Sequence, residues 1–403
     1  MSLLKKNFTF IDLFAGIGGF HYAMKKYSSK AECVFASEVN KNAIKVYKQN
    51  HQINSDFNIK DVKGDMIPDF DVVCAGFPCQ SFSKAGNQKG FKDERGVLFN
   101  EIERLIIEKI SKGSKPKILI LENVKNLATH DKSRTWNIIK QKLTDLGFNV
   151  IDKPKILSPN HFGIPQLRDR AIILAVDSSI YNGPIDLTIK TSKDETKIDT
   201  ILEKLNKEDM EKYSISDNES RILNAWDDFI KRVKVKTIGF PIWSDYFYNG
   251  GPIDDFPEWK KEIVYKNRQF YLEHKDVIDS WYMEYNIKSF MPTYRKFEWQ
   301  AGTDINSVFE GIVQFRPSGI RVKRPTSAPT LVAIKHIPII GKEKRYLTPK
   351  EAQKLQSFPD DFDSSQVGHD IYRLLGNAVN VEVIYQVFKQ FIDYLDEKIG
   401  DNK

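Results

Sequence analysis

Asp71-Val72-Val73-Cys74-Ala75-Gly76-Phe77-Pro78-Cys79-Gln80-Ser81-Phe82 is the stretch that decides the fold. Asp71 to Ala75 is short and apolar, which predicts a buried strand. The strand stops at Gly76, and Pro78 cannot donate to a sheet ladder. Cys79 therefore stands just past the carboxyl end of a strand. In open α/β sheets that edge is where ligands bind and chemistry is done. The loop that follows, 81–96, holds Gly86, Gly90 and Gly96 among polar residues. Its length and hinges suit a segment that closes over a site. A cysteine also serves as a small buried hydrophobe. The loop position after a strand, beside proline, weakens that reading for Cys79.

Upstream, Phe8 to Phe14 is β-prone and runs into Ala15-Gly16-Ile17-Gly18-Gly19. A helical pattern follows through Phe20, Ala23 and Met24. Strand, glycine turn and helix open a nucleotide- or cofactor-binding α/β domain. The glycines let a ligand approach the backbone closely. Val34 to Ser37 reads as a second strand, and Glu38 at its carboxyl end can accept both hydroxyls of a ribose. Asp65, after Gly64, occupies a similar post and can accept from an adenine amine. Taken singly, each carboxylate is better explained by a solvated turn or helix cap. No G-x-x-x-x-G-K-[ST] is present, so a phosphate-cradling loop is not expected. A glycine turn with two acidic posts suits a cofactor without phosphates, such as S-adenosylmethionine.

Downstream, Leu98, Ile102, Leu105, Ile106 and Ile110 fall at helical spacing and predict a core-facing helix over 97–110. Lys117 to Leu121 reads as the next buried strand, ending in Glu122-Asn123-Val124. A carboxyl buried at such a strand end can act as an acid. Trp136 to Leu146 reads as a helix, and Phe148 to Leu157 and Ala171 to Val176 as the last strands. Between those strands lies Gln166-Leu167-Arg168-Asp169-Arg170. In an extended segment Arg168 and Arg170 point to one side; a surface salt-bridge pair is the plainer reading.

From about Asp177 the α/β rhythm stops. Lysine-rich polar segments run to about Ser220, and then Trp226, Trp243, Trp259, Trp281 and Trp299 bring five of the six tryptophans. Pro241, Gly250, Gly251, Pro252 and Pro257 break this region into short pieces. The texture predicts a second, smaller, irregular domain with an aromatic core of its own. Near its end Arg316, Arg321, Lys323 and Arg324 cluster around Pro317 and Gly319. Such a loop suits phosphates and base edges, and equally a solvated surface. Leu347-Thr348-Pro349 then marks a helix start, with Glu351 in the capping-box position. Gly376-Asn377-Ala378-Val379 precedes a last apolar-periodic helix through Ile392, and the tail from Asp396 is polar.

A chain of 403 residues fits two domains. It is 41% hydrophobic and 29% charged, the balance of a soluble globular protein, with no run that spans a bilayer. Met1 to Asn7 shows no secretory pattern, and three cysteines cannot form a disulfide framework or a zinc site. A cytoplasmic setting, no membrane and no metal are expected. The net charge of +7 leans toward a polyanionic partner.

Together these segments resemble the DNA (cytosine-5)-methyltransferases of bacterial restriction-modification systems. The family's F-x-G-x-G stands at Phe14 to Gly18, its nucleophile motif at Phe77 to Gln80, and its E-N-V at Glu122 to Val124. Its Q-x-R-x-R stands at Gln166 to Arg170, L-Q-x-F-P at Leu355 to Pro359, and G-N-A-V at Gly376 to Val379. The motifs come in the family's order over most of the chain. Between Arg170 and Arg345 only Thr330-Leu331 matches, as expected of a region that differs between enzymes with different targets. Asn380-Val381-Glu382 departs from a segment where the family often carries prolines.

The resemblance implies a Rossmann-like, S-adenosylmethionine-dependent methyltransferase fold, with residues 1–184 and 331–403 as a discontinuous catalytic domain. Residues 185–330 would form a smaller target-recognition domain. Cys79 is expected as the nucleophile, Glu122 as the acid at cytosine N3, and Arg168 and Arg170 as groups holding the base edge or nearby phosphates. The cofactor is expected against Phe14, Ala15, Gly16, Ile17, Gly18, Gly19, Glu38, Val39, Asp65, Met66, Phe77, Leu98, Asn377 and Val379. DNA contacts are expected from Gln80, Ser81, Ser83, Arg95, Arg316, Arg321, Lys323, Arg324 and Thr330. A monomer acting on double-stranded DNA, with a genetically paired restriction endonuclease, completes the expectation. The alternative on the same scaffold is a transfer-RNA cytosine-5 methyltransferase.

Overall fold

A computed structural model describes residues 3–77, 98–192, 194–234, 238–248, 253–331 and 336–401. Cys79, Gln80, Ser81, Ser83 and Arg95, with the closing loop expected around them, lie outside the described residues. The chain divides into two compact units. The first is Met1–Thr196 with Ala352–Lys403, and the second is Lys197–Glu351.

The first unit is built as β1 (Thr9–Leu13), α1 (Gly19–Tyr27), β2 (Glu32–Ser37), α2 (Lys41–His51), β3 (Val72–Gly76) and α3 (Leu98–Ser111). There follow β4 (Ile118–Val124), α4 (Arg134–Asp145), β5 (Phe148–Val150), β6 (Lys155–Leu157), the two-residue β7 (Gln166–Leu167) and β8 (Arg170–Asp177). Its main sheet runs β2-β1-β3-β4-β8-β5, with β6 also on β8. β1, β2, β3 and β4 are mutually parallel, and β8 is antiparallel to β4, β5 and β6. The central strands bury both faces, which is why they read as continuous apolar runs without alternation. Strand order reverses at β1, so a crevice opens between the carboxyl ends of β1 and β3.

Two expectations shift here. β4 runs on to Val124, so Glu122 is still in the ladder, opposite Gly76 on β3 and Ile172 on β8. The strand expected over Phe148–Leu157 is two strands, parted at Asp152-Lys153-Pro154, where proline cannot donate.

The chain end returns to this unit as α10 (Ile371–Asn377) and α11 (Val381–Asp401). Phe388 of α11 packs 5.9 Å from Phe8 and 5.0 Å from Tyr27 between ring centroids, beside α1. The approach is close at Gly19, where an added Cβ would stand 2.6 Å from Val379 Cγ2.

The second unit is more regular than the irregular domain expected. It holds α5 (Lys207–Tyr213), α6 (Asp217–Val233), β9 (Ile242–Trp243), α7 (Glu258–Glu273), α8 (Lys275–Glu284), β10 (Lys296–Gln300), β11 (Ile312–Arg316) and β12 (Gly319–Lys323). β13 (Ala328–Pro329), β14 (Ile339–Ile340) and β15 (Arg345–Tyr346) follow, and the unit boundary falls within α9 (Pro349–Leu355). Its sheet runs β15-β14-β11-β12-β10-β9. Pro241 and Pro257, two of the residues that suggested fragmentation, fall directly before β9 and α7; Gly250, Gly251 and Pro252 lie outside the described residues. Trp226 and Trp281 are fully buried, and Trp226 stacks on Phe297 at 4.7 Å. Trp259 departs from the aromatic-core expectation, being 62% exposed. Thr348 and Glu351 form the expected capping box, through Thr348 N to Glu351 Oε2 at 2.9 Å and Glu351 N to Thr348 Oγ1 at 3.2 Å.

Candidate active site

The carboxyl ends of β1, β2, β3 and β4 open onto one cavity of about 810 Å³. Phe14 and Gly16 line it from the turn after β1, and Glu38, Val39 and Asn40 from the end of β2. Gly76 and Phe77 contribute from β3, Leu98 from α3, Glu122 to Val124 from β4, and Gly376 and Asn377 from α10. The volume lies within the usual range for a ligand pocket, roughly 300–1,000 Å³.

The glycine turn earns its residues. Gly16 has φ +56°, and a Cβ there would meet nothing within 4 Å, so bare backbone faces the cavity. Gly16 N donates to Glu38 Oε2 at 2.8 Å, and Val39 N and Asn40 N donate to Glu38 Oε1 at 2.8 Å. Glu38 thereby ties the turn to the start of α2. About one acceptor site, on its Oε2, is left for a hydroxyl in the cavity.

The rest of the expected cofactor set is less uniform. Ala15 and Ile17 are buried in the core. Gly18 lies on His51, where a Cβ would come within 2.2 Å of Nε2, and Gly19 lies on Val379. These residues, and Val379 itself, shape the turn from behind and do not line the cavity. Asp65 and Met66 sit in a short helical turn outside it. Asp65 faces Lys112 at 3.7 Å, and Met66 is 52% exposed. Phe57, Asn58, Ile59 and Lys60 line the cavity directly. Asn58 escaped notice because a carboxylate was sought; a side-chain amide offers both an acceptor and donors.

At the other end of the cavity Glu122 is 9% exposed, and Arg170 Nε lies 2.9 Å from its Oε1. Asn123 Nδ2 donates to Phe77 O at 3.2 Å, fixing the chain just before the proline and cysteine. Arg168 and Arg170 do not act as equals. Arg168 is 3% exposed, and its Nη2 donates to Gly376 O at 3.0 Å and Ala378 O at 2.9 Å. It caps the carbonyl end of α10, a favourable place for a cation. Burial weighs against its charge, Arg170 adds to that, and Glu122 opposes it.

Behind the glycine turn lies a buried polar cluster that sequence reasoning missed. His21 and His51 stack with ring centroids 3.7 Å apart and planes 12° apart. His21 Nδ1 lies 3.0 Å from Tyr47 Oη, which in turn lies 3.5 Å from Asp12 Oδ2 and 3.6 Å from Cys33 Sγ. Burial, then the charges of His51 and Lys25, hold His21 down at about 2; burial, then Lys25, hold His51 at about 4. Burial, chiefly, pushes the Cys33 thiol up to about 12, and the wholly buried Cys74 is also raised. Neither thiol suits a nucleophile, which leaves Cys79 as the reactive candidate.

The cavity fits a nucleoside cofactor without phosphates. It offers a glycine turn with open space over Gly16, a carboxylate at the end of β2, and apolar walls at Phe14, Val39, Phe57, Ile59 and Leu98. Among the described residues, no group of three or more His, Cys, Asp or Glu is arranged to hold a metal. Among the described residues, no helix is long and apolar enough to cross a membrane.

A parallel sheet with this crevice has the Rossmann-like architecture of S-adenosylmethionine-dependent methyltransferases. The chain belongs to the C-5 cytosine-specific DNA methylase family, whose model matches residues 8–393. The enzyme is accordingly a DNA (cytosine-5)-methyltransferase. It is 30% identical to Type II methyltransferase M.AluI of Cellulosimicrobium cellulans, over 97% of this chain and 93% of that one. It is 32% identical to Type II methyltransferase M.BanI of Aneurinibacillus aneurinilyticus, over 98% of each chain. Its fold is similar to that of the Entamoeba histolytica methyltransferase EhMeth, with a TM-score of 0.56 and 18% identity over 97% of this chain and 99% of that one. The S. pombe Dnmt2 methyltransferase gives a TM-score of 0.53 and 19% identity, over 96% and 99%.

Proposed function

We propose that the enzyme methylates C5 of a cytosine within a defined duplex sequence, through a transient bond between Cys79 and C6 of a flipped-out base. The observation that carries this reading is one cavity with two chemistries. The Gly16–Glu38 cradle is at one end and the Glu122–Arg170 pair at the other. Phe14, Gly16, Glu38, Val39, Asn58, Ile59, Leu98 and Asn377 would hold S-adenosylmethionine. When bound, that cofactor supplies an electrophilic methyl group for C5.

Cytosine C5 is a poor nucleophile. Addition of the Cys79 thiolate at C6 moves electron density to C5. A free thiol has a pKa of about 8.5, so a nearby cation helps it ionise. Glu122 hydrogen-bonds or protonates N3, withdrawing electrons as the thiolate adds. Arg170 orients Glu122 and faces the base edge. Arg168 serves as a positioning residue, holding the 376–378 segment that lines the cavity. Loss of the C5 proton and expulsion of the Cys79 thiolate restore the aromatic ring. The base is out of reach inside a duplex, so it is flipped at a cost of a few kcal/mol. Gln80, Ser81, Ser83 and Arg95 are the loop residues proposed to meet DNA around the vacated site.

The first unit is proposed as the catalytic domain and the second as the target-recognition domain. Arg316, Arg321, Lys323, Arg324 and Thr330 are proposed at the DNA surface. Arg324 is partly committed, its Nε standing 2.5 Å from Asp304 Oδ2. The full-length relatives named as Type II methyltransferases support host-DNA protection beside a paired endonuclease, and favour DNA over transfer RNA as substrate. Methyl transfer to duplex oligonucleotides and to transfer RNA, measured side by side with labelled cofactor, tests the substrate. Transfer to duplex alone is expected, and transfer to RNA alone would reverse the assignment.

A further inference from the structure

The sheet of the second unit has one apolar and one polar face. Phe297, Trp299, Val313, Ile320 and Val322 point into the core. Residues one position along each strand take the other side. There Glu298 on β10, Arg321 on β12 and Gln314 on β11 are direct cross-strand partners. Arg316 and Lys323 lie two residues along on the same face. Three cations thus surround one carboxylate. Arg321 Nε donates to Glu298 Oε2 at 2.7 Å, and Arg316 Nη2 lies 3.0 Å from Glu298 Oε1. Burial pushes the Glu298 carboxyl up, but Arg321 and Arg316 pull it below the usual carboxylate range. Lys323 forms no ion pair within 4 Å among the described residues; burial, then Arg321 and Arg316, lower it, and the Glu298 charge opposes them.

The grip on Arg321 is specific. Its Nε is taken, and among the described residues no hydrogen bond takes Nη1 or Nη2. Its side chain keeps 26% exposure, against 14% for Arg316. An arginine held at Nε by a carboxylate presents its two terminal nitrogens end-on, as a pair of parallel donors. Guanine offers two acceptors, O6 and N7, side by side in the major groove. Adenine sets a donor beside its N7 and opposes such a fork.

We propose that Glu298 is a positioning residue that aims Arg321 at the major-groove edge of a guanine, so that the recognised sequence contains a guanine read through O6 and N7. This rests on the reading of the second unit as the target-recognition domain. Arg316 and Lys323 add charge to the same face and leave it net positive around the reader.

The test uses the full-length enzyme. Bisulfite sequencing of plasmid methylated by the enzyme first defines the site. Duplexes then carry 7-deazaguanine, which lacks the N7 acceptor, at each guanine in turn. For wild type, one substitution is expected to lower kcat/KM by about 10-fold or more, the loss of one of the two hydrogen bonds to a charged donor. Arg321→Ala should be indifferent to that same substitution. Glu298→Gln, which keeps the shape and removes the charge, should shrink the sensitivity to a few-fold and raise KM for DNA. It should leave KM for S-adenosylmethionine and the thermal midpoint near wild type. Full sensitivity in Glu298→Gln would overturn the positioning role while leaving Arg321 as a reader. If every guanine tolerates 7-deazaguanine, or if sensitivity persists in Arg321→Ala, the guanine assignment falls. If both variants keep the wild-type site preference and salt dependence, the face is off the DNA and the underlying domain reading fails with it.

Discussion

Cys79 and Glu122 carry separable predictions. Cys79→Ala should abolish turnover while S-adenosylmethionine affinity, measured by calorimetry, stays within about twofold of wild type, since the thiol acts on the base. Residual methylation above a few per cent would assign the nucleophile elsewhere. Glu122→Gln keeps the shape and removes the acid; general acid help is typically worth about 10²–10⁴ in rate, and single-turnover methylation should fall by that order. An unchanged rate at saturating DNA would make Glu122 structural. At this scale the sequence was most informative where chemistry demands one residue type. The E-N-V at the strand end could be read directly, and its residues line the cavity. Asp65 could not be told from Asn58 in the same way. Both follow β2 in polar turns, and only tertiary packing decides which one faces the cavity. Arg168 and Arg170 look equivalent in sequence. They part because one is buried under the carbonyls of α10 and the other reaches Glu122.

The glycine turn and the helices behind it respond to pH as one element. His21 and His51 stack as neutral rings, with folded-state values of about 2 and about 4 against an ordinary 6.5. The unfolded chain binds these protons more readily. Their contribution to stability is therefore fully present above about pH 6.5 and is lost as pH falls from there, down to about 4 for His51 and about 2 for His21. Each such group contributes a slope of up to about 1.4 kcal/mol per pH unit within its window. His51→Phe keeps a flat ring and cannot titrate. Denaturant midpoints at pH 7 and pH 5 should therefore differ less for this variant than for wild type, and equal differences would show that the stack does not control acid stability. Gly18→Ala should unfold at lower temperature in a calorimetric scan. Its Cβ would come within 2.2 Å of His51, and its φ of +88° is one that L residues rarely adopt. A midpoint matching wild type would mean that the turn relaxes freely. The turn itself was legible from Phe14-Ala15-Gly16-Ile17-Gly18-Gly19. The histidine stack was not, because His21 and His51 are 30 residues apart and meet only when α1 and α2 pack.

On the scale of the whole molecule, the change of texture after Asp177 marked the second unit without giving its architecture. Short strands such as Ile339–Ile340 and Arg345–Tyr346 have no period to read, and they gain their place only by pairing with β11 and with each other. The return of α11 to β1 and α1 was implied by the family's order of motifs. Nothing in the local pattern of residues 381–401 requires it. If the second unit, Lys197–Glu351, sets the target, exchanging it for that of a relative with a different site should transfer the site, read by bisulfite sequencing, and keep S-adenosylmethionine affinity. A chimaera that folds and binds cofactor but keeps the parental target would place recognition elsewhere. The central claim is that this enzyme works through a covalent bond from Cys79 to a flipped cytosine. A duplex carrying 5-fluorocytosine at the mapped target position tests it most directly, because fluorine cannot leave C5 as a proton does and the adduct persists. With S-adenosylmethionine present, wild type should give a complex that survives denaturing electrophoresis and maps by mass spectrometry to Cys79. Cys79→Ala should give none. An adduct on another residue, or methylation of ordinary duplex by a wild-type enzyme that forms no adduct with the fluorinated one, would contradict the account.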